Sequence, residues 1–189
     1  MEIHKELVNQ GYDCYLVGGC IRDFISKKKP KDFDLVTNAR PDRILQVFKK
    51  EARLVGHRFP IVHVRKGGLV AEIATFRSSN SLDIDYAKSG LIIRDESFGV
   101  IEEDVSRRDF TINALYFDPD TNEILDFVNG IGDLDSRTLK FIGNPKTRVQ
   151  EDPIRLLRYL RFAAKLDFEL DKSVISVLEN QSHLLTTIS

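Results

Sequence analysis

Leu16-Val17-Gly18-Gly19-Cys20-Ile21-Arg22-Asp23, followed by Lys31-Asp32-Phe33-Asp34-Leu35-Val36, is the stretch whose reading decides the fold. A short apolar run, residues 15–17, enters two glycines and then a helical pattern over 20–26. Without a Cβ at Gly18 and Gly19, backbone N–H groups can approach phosphate oxygens closely. Arg22, one helical turn on, can meet the same anion. Residues 33–36 read as a second strand. Strand residues two apart share a face, so Asp32 and Asp34 project together. Two neighbouring carboxylates repel unless a divalent cation neutralises them. Phosphoryl-transfer chemistry uses such a pair to hold two Mg²⁺ ions between an attacking hydroxyl and a phosphate. An isolated D-x-D is more often a pair of surface acids, so the pair needs its context.

Outward from this pair, residues 41–50 fit a helix with Pro41 at its first position. Residues 53–55, 61–65 and 69–76 read as strands, the last two joined at Gly67-Gly68. Alternation over 69–76 puts Val70, Glu72, Ala74 and Phe76 on one face. An acid among apolar neighbours is costly unless it is paired or faces a metal, so Glu72 is a candidate third carboxylate. Residues 78–97 are rich in Ser and Asp, lack a sustained period, and read as a mobile loop. Arg107-Arg108-Asp109-Phe110-Thr111-Ile112-Asn113-Ala114 then packs two cations, an acid, a hydroxyl and an amide together. Arg108 suits a phosphate, and Asp109 and Asn113, one turn apart if helical, suit ribose hydroxyls.

Residues 115–117 and 124–127 read as a hairpin around the turn-forming stretch 118–122. From Pro153 a helical period dominates, with Asp152 as the expected N-cap. Leu156, Leu157, Leu160, Ala163 and Ala164 fall on one side, and Arg155, Arg158, Arg161 and Lys165 on the other. A carboxylate and guanidinium groups on one helix, here Asp152, Arg155 and Arg158, can match the donors and acceptors of a base edge.

Composition narrows the class. The 189 residues carry 28 Lys plus Arg against 29 Asp plus Glu, with 42% apolar residues, which suits one ordinary domain or one domain with an attached helical piece; the mix of short strands and helical patterns before residue 140 reads as α+β. No stretch approaches the ~18 apolar residues of a membrane helix, so no membrane partner is expected. Cys14 and Cys20 are too few for a disulfide framework, which points to a reducing, cytoplasmic setting. His4, His57, His63 and His183 show no zinc-ligand spacing, and no P-loop occurs. Residues 137–165 hold eight basic and two acidic side chains, a local balance of +6 that suggests a binding face. The absence of a capping signal near residue 189 suggests a fragment of a longer protein.

In order and context, LVGGCIRD, KDFDLVTNA, RRDFTINAL and EDPIRLLRYLRFAAK resemble the successive motifs of the class II tRNA nucleotidyltransferase and bacterial poly(A) polymerase superfamily. The resemblance runs from Tyr12 to Lys172. It implies a nucleotidyltransferase head of the polymerase-β type, a mixed sheet with flanking helices, over residues 1–140. The start of an all-helical neck would occupy 141–189, with further helical domains absent.

By the family pattern Asp32 and Asp34 bind two Mg²⁺ ions. Gly18, Gly19, Arg22 and Arg108 serve the phosphates of the incoming nucleotide, with Asn113 beside them. Asp109 serves the catalytic and ribose region, Glu72 stands as the third carboxylate, and Asp152, Arg155 and Arg158 meet the base. Residues 54–64 and 98–104 look more like bacterial poly(A) polymerases than CCA-adding enzymes. The expected activity is AMP transfer from ATP to an RNA 3′ end, of mRNA or tRNA. CCA addition to tRNA is the runner-up, and an inactive RNA-binding module the alternative of another class.

Overall fold

The computed structural model describes residues 1–56, 59–78, 84–86, 92–95 and 97–187. The chain begins with helix α1 (Glu2–Asn9), which buries Ile3, His4 and Leu7. Strand β1 (Cys14–Val17), helix α2 (Gly19–Ile25) and strand β2 (Phe33–Thr37) follow, close to the expected spans. Helix α3 (Pro41–Phe48) ends two residues earlier than expected, and a 3₁₀ turn, Lys49–Glu51, finishes it. Strands β3 (Ala52–Val55), β4 (Ile61–Lys66) and β5 (Leu69–Thr75) form a meander.

The segment read as a mobile loop contains β6 (Ile84–Tyr86) and β7 (Ile92–Asp95), paired antiparallel as a separate ribbon. Each is only three or four residues long, too short for a period to show in sequence. Residues 79–83, 87–91 and 96 of that reading lie outside the described residues. Helix α4 (Ile101–Arg107) carries Glu102, Glu103 and Asp104 in its first turn, where acids favour the helix N-terminus. Strands β8 (Leu115–Asp118) and β9 (Glu123–Asp126) form the expected hairpin. Helix α5 (Gly130–Asp135) and strand β10 (Thr138–Leu139) lead to α6 (Pro145–Glu151), α7 (Ile154–Leu166), β11 (Glu169–Leu170) and α8 (Lys172–Gln181).

Seven strands make one mixed sheet in the order β3-β4-β5-β2-β1-β8-β9, in which β2 and β5 run parallel and the other neighbours antiparallel. The architecture is α+β, a mixed sheet with flanking helices. One face buries Leu35, Val62, Val64, Ala71 and Ile73 against Ile3 and Leu7 of α1 and Ile44 and Phe48 of α3. The register then aligns Val17 with Asp34, Asp34 with Glu72, and Glu72 with His63. Cross-strand partners share a face, so this row places both acids on the opposite, more open side.

The C-terminal helices share a core with the end of the head. Phe110, Ile112, Leu139 and Phe141 are buried with Val149, Leu156, Tyr159, Ala163 and Val174. Phe110 makes edge contacts with Phe141, Tyr159 and Phe162 at 5.0–5.7 Å between ring centroids. The Tyr159 hydroxyl donates to the Leu139 carbonyl and accepts from the Asp171 N–H.

Helix α7 buries Leu156, Tyr159 and Ala163, whereas Leu157 and Leu160 are exposed, contrary to the expected stripe. Tyr159, with its polar tip satisfied, takes the inward position that Leu160 was expected to hold. Asp152 is not the N-cap: it ends α6 and precedes Pro153, which flanks α7. Its carboxylate still accepts the Ile154 N–H. Replacing Phe110 by Ala should therefore cost about 3–5 kcal/mol and lower the stability of head and C-terminal helices together. Urea unfolding followed by far-UV circular dichroism should show one shifted transition; two separate transitions would show that the halves do not share this core.

Candidate active site

Gly18 is the hinge of the site. Its backbone lies at φ +77°, in the region that favours glycine, and its N–H donates to the Leu115 carbonyl on β8. A Cβ there would lie 3.7 Å from the Asn113 carbonyl oxygen and 4.0 Å from both Arg108 Nη1 and Asp34 Oδ2. The Gly-Gly turn therefore brings the D-x-D strand and the RRD segment to one point.

From that point a chain of polar contacts runs outward. Arg22, 3% exposed, donates from Nη1 to Asn113 Oδ1 at 2.6 Å and from Nε and Nη2 to Asp23. Asn113 Nδ2 donates to Asp109 Oδ1, and Asp109 Oδ2 receives a fork from Arg158 Nε and Nη2 at 2.9 and 2.6 Å. The RRD segment is not the helix expected there. Phe110 is extended and bridges Phe141, and only Thr111–Asn113 forms a 3₁₀ turn. Asp109 and Asn113 meet through this turn because Phe110, drawn into the core, holds the chain between them extended.

Arg108 donates from Nε to Asp104 Oδ2 and to the Tyr116 hydroxyl, which itself donates to Asp104. Burial alone would lower the Arg108 pKa, but Asp104 and Tyr116 outweigh it and hold the guanidinium charged. Burial raises the Tyr116 phenol well above its usual range, so it stays a neutral donor. Asp104 and Tyr116 escaped the sequence reading. The (i, i+4) spacing of Asp104 and Arg108 was the available signal.

The carboxylates are the other half of the site. Burial pushes the Asp34 carboxyl above its ordinary value, Glu72 and Asp32 add repulsion, and Arg108 opposes them. No hydrogen bond or ion pair reaches the Asp32 or Asp34 side chain among the described residues. Glu72 is exposed, not set among apolar neighbours: Ala71, Ile73 and Thr75 are the buried residues of β5. The alternation holds within the strand, where the face carrying Val70, Glu72 and Ala74 is the open one, but Phe76, expected on that face, lies beyond the strand's end and is buried; Glu72 pairs with His63 Nε2 at 3.2 Å. The oxygens of Asp32, Asp34 and Glu72 do not all lie within 4.8 Å of one another. A half-buried carboxylate with a raised pKa, two acids beside it and no bonded cation suits a divalent ion.

On the side of the C-terminal helices, Arg155 Nη1 donates to Glu151 Oε2 at 2.6 Å and to the Arg148 carbonyl. Arg148, also missed in the sequence, donates from Nη2 to the Arg107 and Arg108 carbonyls and so ties α6 to the RRD segment. The basic stretch is thus less free than its charge suggests. Arg137, Lys140, Arg148, Arg155 and Arg158 all have acidic partners. Among the described residues Lys146, Arg161 and Lys165 form no ion pair.

The mixed sheet thus brings the paired acids and the Gly-Gly turn together beside clustered arginines. The chain belongs to the Poly A polymerase head domain family, which it matches over residues 14–140. It is 45% identical over its whole length to poly(A) polymerase I of Haemophilus influenzae and 37% identical over 98% of its length to a CCA-adding enzyme of Enterococcus faecalis. It spans 43% and 44% of those proteins. The crystal structure of the Bacillus stearothermophilus CCA-adding enzyme in complex with CTP superposes on all of this chain and 44% of its own, with TM-score 0.86 and 31% identity. No helix among the described residues is long and apolar enough to cross a membrane.

The raised Asp34 pKa fixes a sign. The protonated form is favoured in the fold, so Asp34 stabilises below its unfolded-state value and loses that contribution as pH rises through the folded-state value. Asp34→Asn should therefore raise Tm at pH 7, and the difference should shrink as pH falls into the ordinary carboxylate range. Calorimetric scans across pH check this, and a lower Tm at neutral pH would contradict the account.

Proposed function

We propose that the chain carries the catalytic head of an enzyme that transfers AMP from ATP to an RNA 3′ hydroxyl, releasing pyrophosphate. Residues 1–140 are the head and 141–189 the beginning of a helical neck. The observation that carries the reading is the meeting of Asp34, Arg108 and Asn113 around Gly18, with Glu72 in the same sheet row. Closer similarity to poly(A) polymerase I proteins, at 41–45% identity, than to CCA-adding enzymes, at 33–37%, supports the choice of ATP.

In this reading Asp32 and Asp34 hold two Mg²⁺ ions, with Glu72 as the third acid. The bound ions would supply Lewis-acid polarisation of the α-phosphate and a lowered pKa for the attacking hydroxyl. The chain's own part is positioning and charge. Gly18 and Gly19 admit the triphosphate to the backbone, and Arg22 and Arg108 offset its charge. Asp109 and Asn113, already joined, orient the ribose. Asp152 accepts from a base edge to which Arg155 and the unused Nη1 of Arg158 donate. Two buried free thiols, Cys14 and Cys20, suit a cytoplasmic protein. The curated relatives are more than twice as long, so further helical segments would complete the RNA surface.

The test incubates the full-length protein with RNA, Mg²⁺ and each nucleotide alone, then sequences the products. A homopolymeric A tail is expected. Asp34→Ala should lower the rate at least about a thousandfold, roughly 4 kcal/mol of barrier, while leaving the fold intact. Arg158→Ala should relax the preference for ATP over CTP more than it slows transfer. An unchanged ratio would confine Arg158 to holding Asp109. A defined CCA end would favour the CCA-adding relatives instead, and no incorporation by the parent would leave an RNA-binding module.

A further inference from the structure

A second cluster lies at the other end of β1. Its first residue, Cys14, starts the strand whose last residue, Val17, pairs with Asp34. Three residue steps of about 3.3 Å separate the two ends by roughly 10 Å. There α1 brings His4 against Asp118, the last residue of β8, and Asp120 in the turn that follows it. One ligand atom from each of His4, Asp118 and Asp120 lies within 4.8 Å of the others, and among the described residues no other such trio occurs.

His4 is the informative member. It is 1% exposed, and neither ring nitrogen has a hydrogen-bond partner. The Cys14 backbone is close, but it makes no hydrogen bond of acceptable geometry with the ring. A buried imidazole with only an off-geometry backbone contact and carboxylates beyond hydrogen-bond reach recovers little of its lost hydration, which is unfavourable unless something else binds it. Its Nδ1 faces Asp120 Oδ1 at 3.9 Å. That gap is too long for a hydrogen bond, yet it falls within the span of two metal–ligand bonds of about 2.1 Å each.

We propose that His4, Asp118 and Asp120 bind a first-row divalent transition ion, with solvent completing the coordination through the exposed side of Asp120. One imidazole and two carboxylates favour Zn²⁺, Mn²⁺, Fe²⁺ or Co²⁺ over Mg²⁺, which prefers an all-oxygen shell. The two acidic ligands balance the ion's charge. The ion would pin α1 to the β8–β9 turn and so fasten the first helix to the edge of the sheet. It serves no step at the Asp32–Asp34 edge, and this site stands whichever nucleotide the enzyme uses.

The experiment uses tag-free protein carrying Asp34→Asn, which keeps the other carboxylate pair from obscuring the result, in excess Mg²⁺. Zn²⁺ titration by calorimetry should show one site per chain, and Zn²⁺ should raise Tm. Bound Co²⁺ should give a visible absorption band. Adding Asp120→Asn, at a half-exposed position where folding is not at risk, should weaken Zn²⁺ binding at least tenfold and abolish the Tm rise; Asp118→Asn should do the same. An absent Zn²⁺ site, or Zn²⁺ binding unchanged in both variants, would overturn the proposal.

Discussion

Asp34 is a half-buried carboxylate that the sheet register sets beside a second acid, Glu72, with no bonded counter-ion. Much of the structure nearby follows from containing that charge. Gly18, held at φ +77°, lies where Asp34 Oδ2 and Arg108 Nη1 both come within 4.0 Å of the position a Cβ would take. Arg108 is in turn kept charged and aimed by Asp104 and Tyr116, themselves buried. The fold therefore keeps negative and positive groups close without letting them neutralise each other. Such an arrangement costs stability in the empty protein, and under the proposed function a ligand carrying both a cation and phosphates would offset that cost.

The second half of the site depends on packing at a distance. Phe110 sits in a core built jointly with Phe141, Tyr159 and Phe162, which fixes how α7 lies against the RRD segment. That placement lets Arg158 reach Asp109, which is 49 residues away in sequence. The line Asp23–Arg22–Asn113–Asp109–Arg158 thus crosses from α2 through the RRD segment to α7. Loosening the aromatic core would disturb a polar contact that the core residues never touch, because packed interiors transmit displacement.

The parts legible in sequence were those with local rules. The Gly-Gly turn, the period-two strands and the i, i+2 carboxylates need only neighbouring residues, whereas the placing of Glu72 beside Asp34 comes from the sheet register. Helix α6 was read only as part of a helical C-terminal stretch, without bounds of its own, because it has seven residues and buries only Val149, so it carries no period. Its Asn144 cap and Pro145 were the signals at hand. Leu157 and Leu160 were misplaced because a tyrosine, amphipathic and satisfied at its hydroxyl, outranked them for the core. Asp109 and Asn113 were placed one helical turn apart, and they do meet, but through extended backbone that only the tertiary core explains. The pairing of the basic stretch was invisible because most of its partners, such as Asp109 and Asp133, lie outside it in sequence.

The central claim is that Asp34 is held in an unneutralised state that awaits a divalent cation. The direct measurement is the carboxyl carbon shift of Asp34 by NMR, titrated against pH with and without Mg²⁺. The account requires a midpoint above the usual carboxylate range in the absence of Mg²⁺, and a clear fall when Mg²⁺ is added. An ordinary midpoint that does not respond to Mg²⁺ would contradict it.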